Sequence, residues 1–96
     1  MTDPKIAFIG GGNMAQAIIR GLLAAGHPGA AIRVADPDSG VQDVLRGLDS
    51  ALDAGADNAA VAQASEVLVL AVKPQRMAEV AGALAAVSRP ANQVVI

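Results

Sequence analysis

The sequence predicts an α/β fold, a parallel β-sheet with flanking helices, and three observations carry that prediction. Short β-branched clusters alternate with stretches of helical period, a glycine-rich turn joins the first cluster to the first helix, and 96 residues amount to one domain. The first cluster, Lys5-Ile6-Ala7-Phe8-Ile9, is bounded by Pro4 and Gly10 and reads as a strand buried on both faces. Met14, Ile18, Leu22 and Ala25 then fall at i, i+4, i+8 and i+11, which predicts a helix with those four on its core stripe and Gly26 as its stop. Ile32 to Ala35 is the second strand, and Val41, Val44, Leu45 and Leu48 give the next helical stretch. A third strand at Leu52 to Ala56 is poor by composition, holding Asp53, Gly55 and two alanines. Asn58 to Ala64 is helical in pattern, and Val67 to Val72 is the most strongly apolar strand. Pro74 to Ala86 reads as a helix with proline in its first turn and with Met77, Val80, Ala81 and Leu84 on one face. Asn92 to Ile96 opens another strand, so the fold is expected to be truncated at its last strand.

Composition narrows the function. Seven Lys and Arg against nine Asp and Glu leave a net charge of −2, without the basic face that nucleic acid requires. The absence of cysteine excludes disulfides, thiol chemistry and Cys-ligated zinc, and a single histidine cannot build a His-based metal cluster, so no metal is expected. Phe8 is the only aromatic residue, which removes base-stacking platforms and an interfacial aromatic belt. Hydrophobic residues make up 53%, but the longest strongly apolar run, Val67 to Val72, is far too short to cross a bilayer, and the four apolar residues after Lys5 are too few for a signal-peptide core. The expectation is a soluble, cytoplasmic protein with no membrane partner.

Gly10-Gly11-Gly12-Asn13-Met14-Ala15 follows a strand and opens a helix, the context in which G-x-G-x-x-A has a mechanism. Gly10 permits the tight turn, Gly12 lets a pyrophosphate approach the backbone, and Ala15 lets the helix pack closely on the strand. The pyrophosphate meets free N–H groups at the positive end of the helix dipole. Asn13 either caps this helix or hydrogen-bonds the dinucleotide. Asp36, 21 residues past Ala15 at the end of the second strand, stands where such folds place a ribose-binding carboxylate, and before Pro37 it also suits a plain turn. The pattern predicts a Rossmann-like NAD(P)-binding domain covering residues 1–96.

Phe8 to Ala15, Asp57-Asn58 and Val69-Leu70-Ala71-Val72-Lys73-Pro74-Gln75 together resemble the N-terminal domain of pyrroline-5-carboxylate reductases. The opening motif is also similar to that of β-hydroxyacid dehydrogenases, whereas Ala71-Val72-Lys73-Pro74 separates the two. The resemblance implies an oxidoreductase of proline biosynthesis that passes hydride from NADPH, with NADH also usable, to the C=N bond of Δ1-pyrroline-5-carboxylate. It implies cofactor contacts at Ile9, Gly10, Gly11, Gly12, Asn13 and Met14, at Asp36 and Asn58, and at Ala71, Val72, Lys73 and Pro74. It also implies a homo-oligomer and a C-terminal helical substrate domain that is absent from these residues, which leaves the catalytic residues unassigned and the isolated chain inactive. Read by position alone, Lys73 is a solvated lysine before a helix-starting proline, and Asn58 a helix N-cap. A nucleotide-binding module without catalysis is the alternative that the length suggests. The cofactor poses a conflict. Asp36 and Asp38 disfavour the 2′-phosphate of NADP, the family cofactor, and Ser39, nearby backbone amides or Arg46 are left to hold it.

Overall fold

A computed structural model describes residues 3–96. Five strands, β1 (Ile6–Ile9), β2 (Ile32–Ala35), β3 (Asp53–Gly55), β4 (Val67–Leu70) and β5 (Val94–Val95), pair in parallel in the order β3-β2-β1-β4-β5. Four helices connect them: α1 (Asn13–Ala24), α2 (Ser39–Leu48), α3 (Asn58–Gln63) and α4 (Pro74–Ala85), with a short 3₁₀ turn at Gly29–Ala31 before β2. The chain runs outward from β1 through β2 to β3 and then returns to the other side of β1 for β4. Right-handed crossovers therefore place α1 and α2 on one face and α3 and α4 on the other. This is the Rossmann-like α/β sheet that the alternation of clusters predicts.

The two faces hold separate cores. Phe8, Ile32 and Val34 point toward α1 and α2, where they meet Ala15, Ile19 and Leu45. Ala7, Ile9, Ala35 and Leu68 point the other way and pack with Val61 and Ala62 of α3 and with Val80 and Leu84 of α4. Strand alternation produces both sets from the same residues, since successive side chains leave a strand on opposite sides. Ile19 and Phe8 are fully buried, and truncating such a side chain to alanine costs about 2–5 kcal/mol.

Several elements depart from the sequence-based expectation. The core stripe of α1 is turned by one residue, with Ala15 and Ile19 buried while Met14 and Ile18 are exposed by 59% and 42%. Ile18 and Ile19 are adjacent and equally apolar, so the period fits both stripes. The structure selects the one that puts Ala15 and Ile19 into the core that Phe8 of β1 shares. On α4, Val80 and Leu84 are buried but Ala81 is exposed. The third strand does form, as a three-residue edge element in which Ala54 is buried, with Leu52 buried just before it. It is thin because only one of its residues faces the core. The β4 strand ends at Leu70, two residues early: the Ala71 N–H makes the last ladder bond, to the Ile9 carbonyl (2.8 Å), and beyond it β1 turns away at Gly10 and offers no further partner.

Candidate functional site

The β1–α1 turn demands its glycines for different reasons. Gly10 has φ +97°, and a Cβ there would lie 2.3 Å from the Ala71 carbonyl oxygen, so both conformation and space exclude a side chain. A Cβ on buried Gly11 would lie 2.7 Å from Leu45 Cδ1 and 3.0 Å from Val41 Cγ1, so this glycine lets α2 approach the loop. A Cβ on Gly12 would meet nothing within 4 Å, since it would point into open space at the N-cap of α1. No side chain caps α1, and its first turn carries no acidic residue. The N–H groups of Asn13, Met14 and Ala15 thus have no protein acceptor among the described residues, the arrangement that binds an anion at a helix N-terminus. By contrast, α2 is capped by Asp38, whose carboxylate accepts from Gly40 and Val41, and α3 by Asp57, which accepts from Ala60. Asn13 and Asn58 are therefore first helical residues, and neither is the cap that the sequence allows it to be.

Asp36 acts as a bracket. Its Oδ2 accepts from the Gly11 N–H and its Oδ1 from the Asp38 N–H, both at 2.9 Å. One carboxylate so ties the glycine loop to the β2–α2 turn, while the Gly10 N–H donates to the Ala35 carbonyl (2.8 Å). Gln16 holds the loop from the helix side, donating from Nε2 to the Gly11 carbonyl (2.9 Å).

These parts surround a cleft of about 410 Å³ at the carboxyl ends of β1, β2 and β4, where the strand order reverses and open α/β sheets bind ligands. Eight of the twelve residues expected at a cofactor site line it. Ile9, Gly10 and Gly12 come from the first turn, Asp36 from the end of β2, Asn58 from α3, and Ala71, Val72 and Lys73 from the β4–α4 loop. The other four do not. Gly11 is buried behind the loop with its N–H given to Asp36, Met14 is exposed to solvent, and Asn13 and Pro74 are exposed outside the lining. Sequence reasoning missed Ala35, Pro37, Gln75, Arg76 and Val80. The i, i+3, i+7 spacing from Lys73 to Arg76 to Val80 is the signal that puts Arg76 and Val80 on the same side of α4 as Lys73. Arg46 is not free to hold a phosphate, because its guanidinium pairs with Asp43 (3.0 Å) and donates to the Ala54 carbonyl (2.6 Å).

Over residues 5–96 the chain matches the model of the family described as NADP oxidoreductase, coenzyme F420-dependent. The chain belongs to that family. It is 43% identical over 95 residues to a pyrroline-5-carboxylate reductase of Pseudomonas aeruginosa, covering 99% of this chain and 34% of that protein. It is 52% identical over 87 residues to the Haemophilus influenzae pyrroline-5-carboxylate reductase, covering 91% and 31%. A solved pyrroline-5-carboxylate reductase from Coxiella burnetii superposes with a TM-score of 0.79 at 34% identity, over 86% of this chain and 30% of that one. The chain thus spans about a third of the length of the relatives it matches, and the domain is an NADP-binding oxidoreductase domain. Among the described residues no helix is long and apolar enough to cross a membrane.

Proposed function

We propose that this domain is the cofactor-binding part of a pyrroline-5-carboxylate reductase that uses NADPH and accepts NADH, works in the cytoplasm and assembles as a homo-oligomer. The observation that carries the reading is the coincidence of one cleft with two motifs: the uncapped α1 N-terminus and the Ala71-Val72-Lys73 loop face the same space, and relatives that match nearly the whole chain bear that name. In this reading the first turn of α1 binds the pyrophosphate and Asp36 fixes the loop beside the adenosine ribose. Asn58 lies on the adenosine side, while the β4–α4 loop runs along the nicotinamide half, where Lys73 faces phosphate or substrate carboxylate. The bound cofactor supplies hydride to the C=N carbon of Δ1-pyrroline-5-carboxylate, giving L-proline. Residues 1–96 form the NAD(P)-binding domain, and the substrate pocket and proton donor belong to a helical domain that follows it. The test is steady-state oxidation of NADPH by the full-length protein with pyrroline-5-carboxylate, compared with a set of β-hydroxyacids oxidised with NADP. Turnover of the imine alone supports the reading, and turnover of a β-hydroxyacid instead refutes it.

A further inference from the structure

We propose that Arg76 is the residue that recognises the 2′-phosphate of NADPH, a specificity role that rests on the reductase reading above. The inference begins with the cations. Of the seven Lys and Arg residues, only Lys73 and Arg76 line the cleft. Arg46, on α2, is held by Asp43 and the Ala54 carbonyl, and Arg33 lies within β2, outside the cleft lining. Arg89 donates to Gln93 (2.9 Å) at the far end of the sheet. The guanidinium of Arg76 is exposed and has neither a hydrogen bond nor an ion pair among the described residues.

Position then separates Arg76 from Lys73. Lys73 is the N-cap residue of α4, beside the end of β4 and the glycine loop. Arg76 lies one turn further on, on the face of α4 that carries Val80, and both line the cleft that Asn58 of α3 also lines; α3 and α4 share one core on this face of the sheet. The same cleft is lined by Asp36 and Pro37 at the end of β2, where the adenosine ribose sits in folds of this kind. Folds that accept a 2′-phosphate commonly place an arginine near that strand end. Here Pro37 and Asp38 follow Asp36, and Asp38 is occupied in capping α2. The pyrophosphate has its own donors at α1, which leaves the guanidinium for a second anion. Its paired N–H groups suit a phosphate monoester, where two donors meet two oxygens. Asp36 already accepts a backbone N–H on each oxygen, which offsets part of its repulsion toward a phosphate nearby.

The experiment measures binding of NADPH, NADH, 2′,5′-ADP and ADP to the full-length protein, its Arg76→Gln variant and its Arg76→Lys variant, with no imine substrate present. Arg76→Gln is expected to weaken NADPH and 2′,5′-ADP by roughly ten- to hundredfold while changing NADH and ADP by less than about twofold. Arg76→Lys keeps the charge but not the fork, and it is expected to restore part of that loss. Arg76 is exposed, so unfolding midpoints should stay unchanged and show that each variant is folded. Equal losses for NADPH and NADH would place the guanidinium on the adenine or the pyrophosphate, and unchanged affinities would place it outside the site. Either result overturns the assignment while leaving the reductase reading intact. A parent protein that binds neither nucleotide overturns both.

Discussion

Removing the Asp36 carboxylate should destabilise the domain before any nucleotide is present. In Asp36→Ala two acceptors vanish together. The Gly11 N–H lies on a buried residue and would lose its acceptor, which costs about 1.5–3 kcal/mol when the lost acceptor is charged. The Asp38 N–H is exposed and water replaces its acceptor, so that loss is about 0.5–1 kcal/mol. The sum is about 2–4 kcal/mol, which for a domain of this size lowers the melting midpoint on the order of 10–20 °C. Asp36→Asn separates structure from charge. Its amide oxygen still accepts from Gly11 and only the exposed bond is lost, so about 1 kcal/mol is expected, together with an NADPH-to-NADH affinity ratio raised by about tenfold as the negative charge leaves the ribose side. Thermal unfolding of the nucleotide-free protein, followed by titration with each nucleotide, measures both effects. A midpoint for Asp36→Ala within about 1 °C of the parent would show that the bracket holds nothing together, and the residue would then act on the cofactor alone.

Two other substitutions probe the frame around the cleft. Gly10→Ala should cost more than Gly11→Ala in chemical denaturation, because the first sets a methyl group against the Ala71 backbone at positive φ while the second displaces only Leu45, Val41 and Val34 side-chain ends, at about 1–3 kcal/mol. Gln93→Ala removes the Nε2 donor shared by the Ala62 carbonyl (2.8 Å) and by the carbonyl and hydroxyl of buried Ser65 (both 3.0 Å), so hydrogen exchange should quicken at Val94 and Ile96 while β1 amides keep their protection.

The fold was legible because each strand–helix alternation is written in local period, and the glycine turn could be located because Gly10 and Gly12 are spaced by the geometry of the loop itself. What escaped was whatever depends on a second element. The helix period cannot tell Ile18 from Ile19, since only the sheet beneath α1 decides which stripe is covered. Gly11 stood in the variable position of the motif, and its need for a bare α-carbon comes from Leu45, 34 residues away. The offset of Asp36 and the family resemblance point to a ribose ligand and Pro37 to a plain turn; the turn is there, and the tie from Asp36 to the Gly11 N–H, 25 residues away, is what neither signal carries. For Arg76 the spacing gives only the helix face it shares with Lys73 and Val80, and that this face lines the cleft follows from how α4 is set down beside α3.

Capping divides the four helices by task. The two Asp-capped helices, α2 and α3, satisfy their first turns within the chain, while α1 and α4 have Gly12 and Lys73 at their N-caps with no side-chain hydrogen bond, and both residues line the cleft. Glycine is a poorer cap than Asp by only a few tenths of a kcal/mol, but a carboxylate beside the positive end of the dipole adds about 0.3–1 kcal/mol. Gly12 has φ −72°, and its Cβ would enter open space, so Gly12→Asp introduces no clash. This substitution should therefore leave the nucleotide-free domain as stable as before, or more stable by up to about 1 kcal/mol. It should also weaken dinucleotide binding by at least about a hundredfold, because the new carboxylate occupies the N–H groups of α1 and repels the pyrophosphate. Melting curves and nucleotide titration of the same sample read the two effects with opposite sign. A variant that binds NADPH as the parent does would show that the α1 N-terminus is not where the pyrophosphate sits. A variant that merely unfolds would show that the turn is closed to a side chain, against the space seen around Gly12.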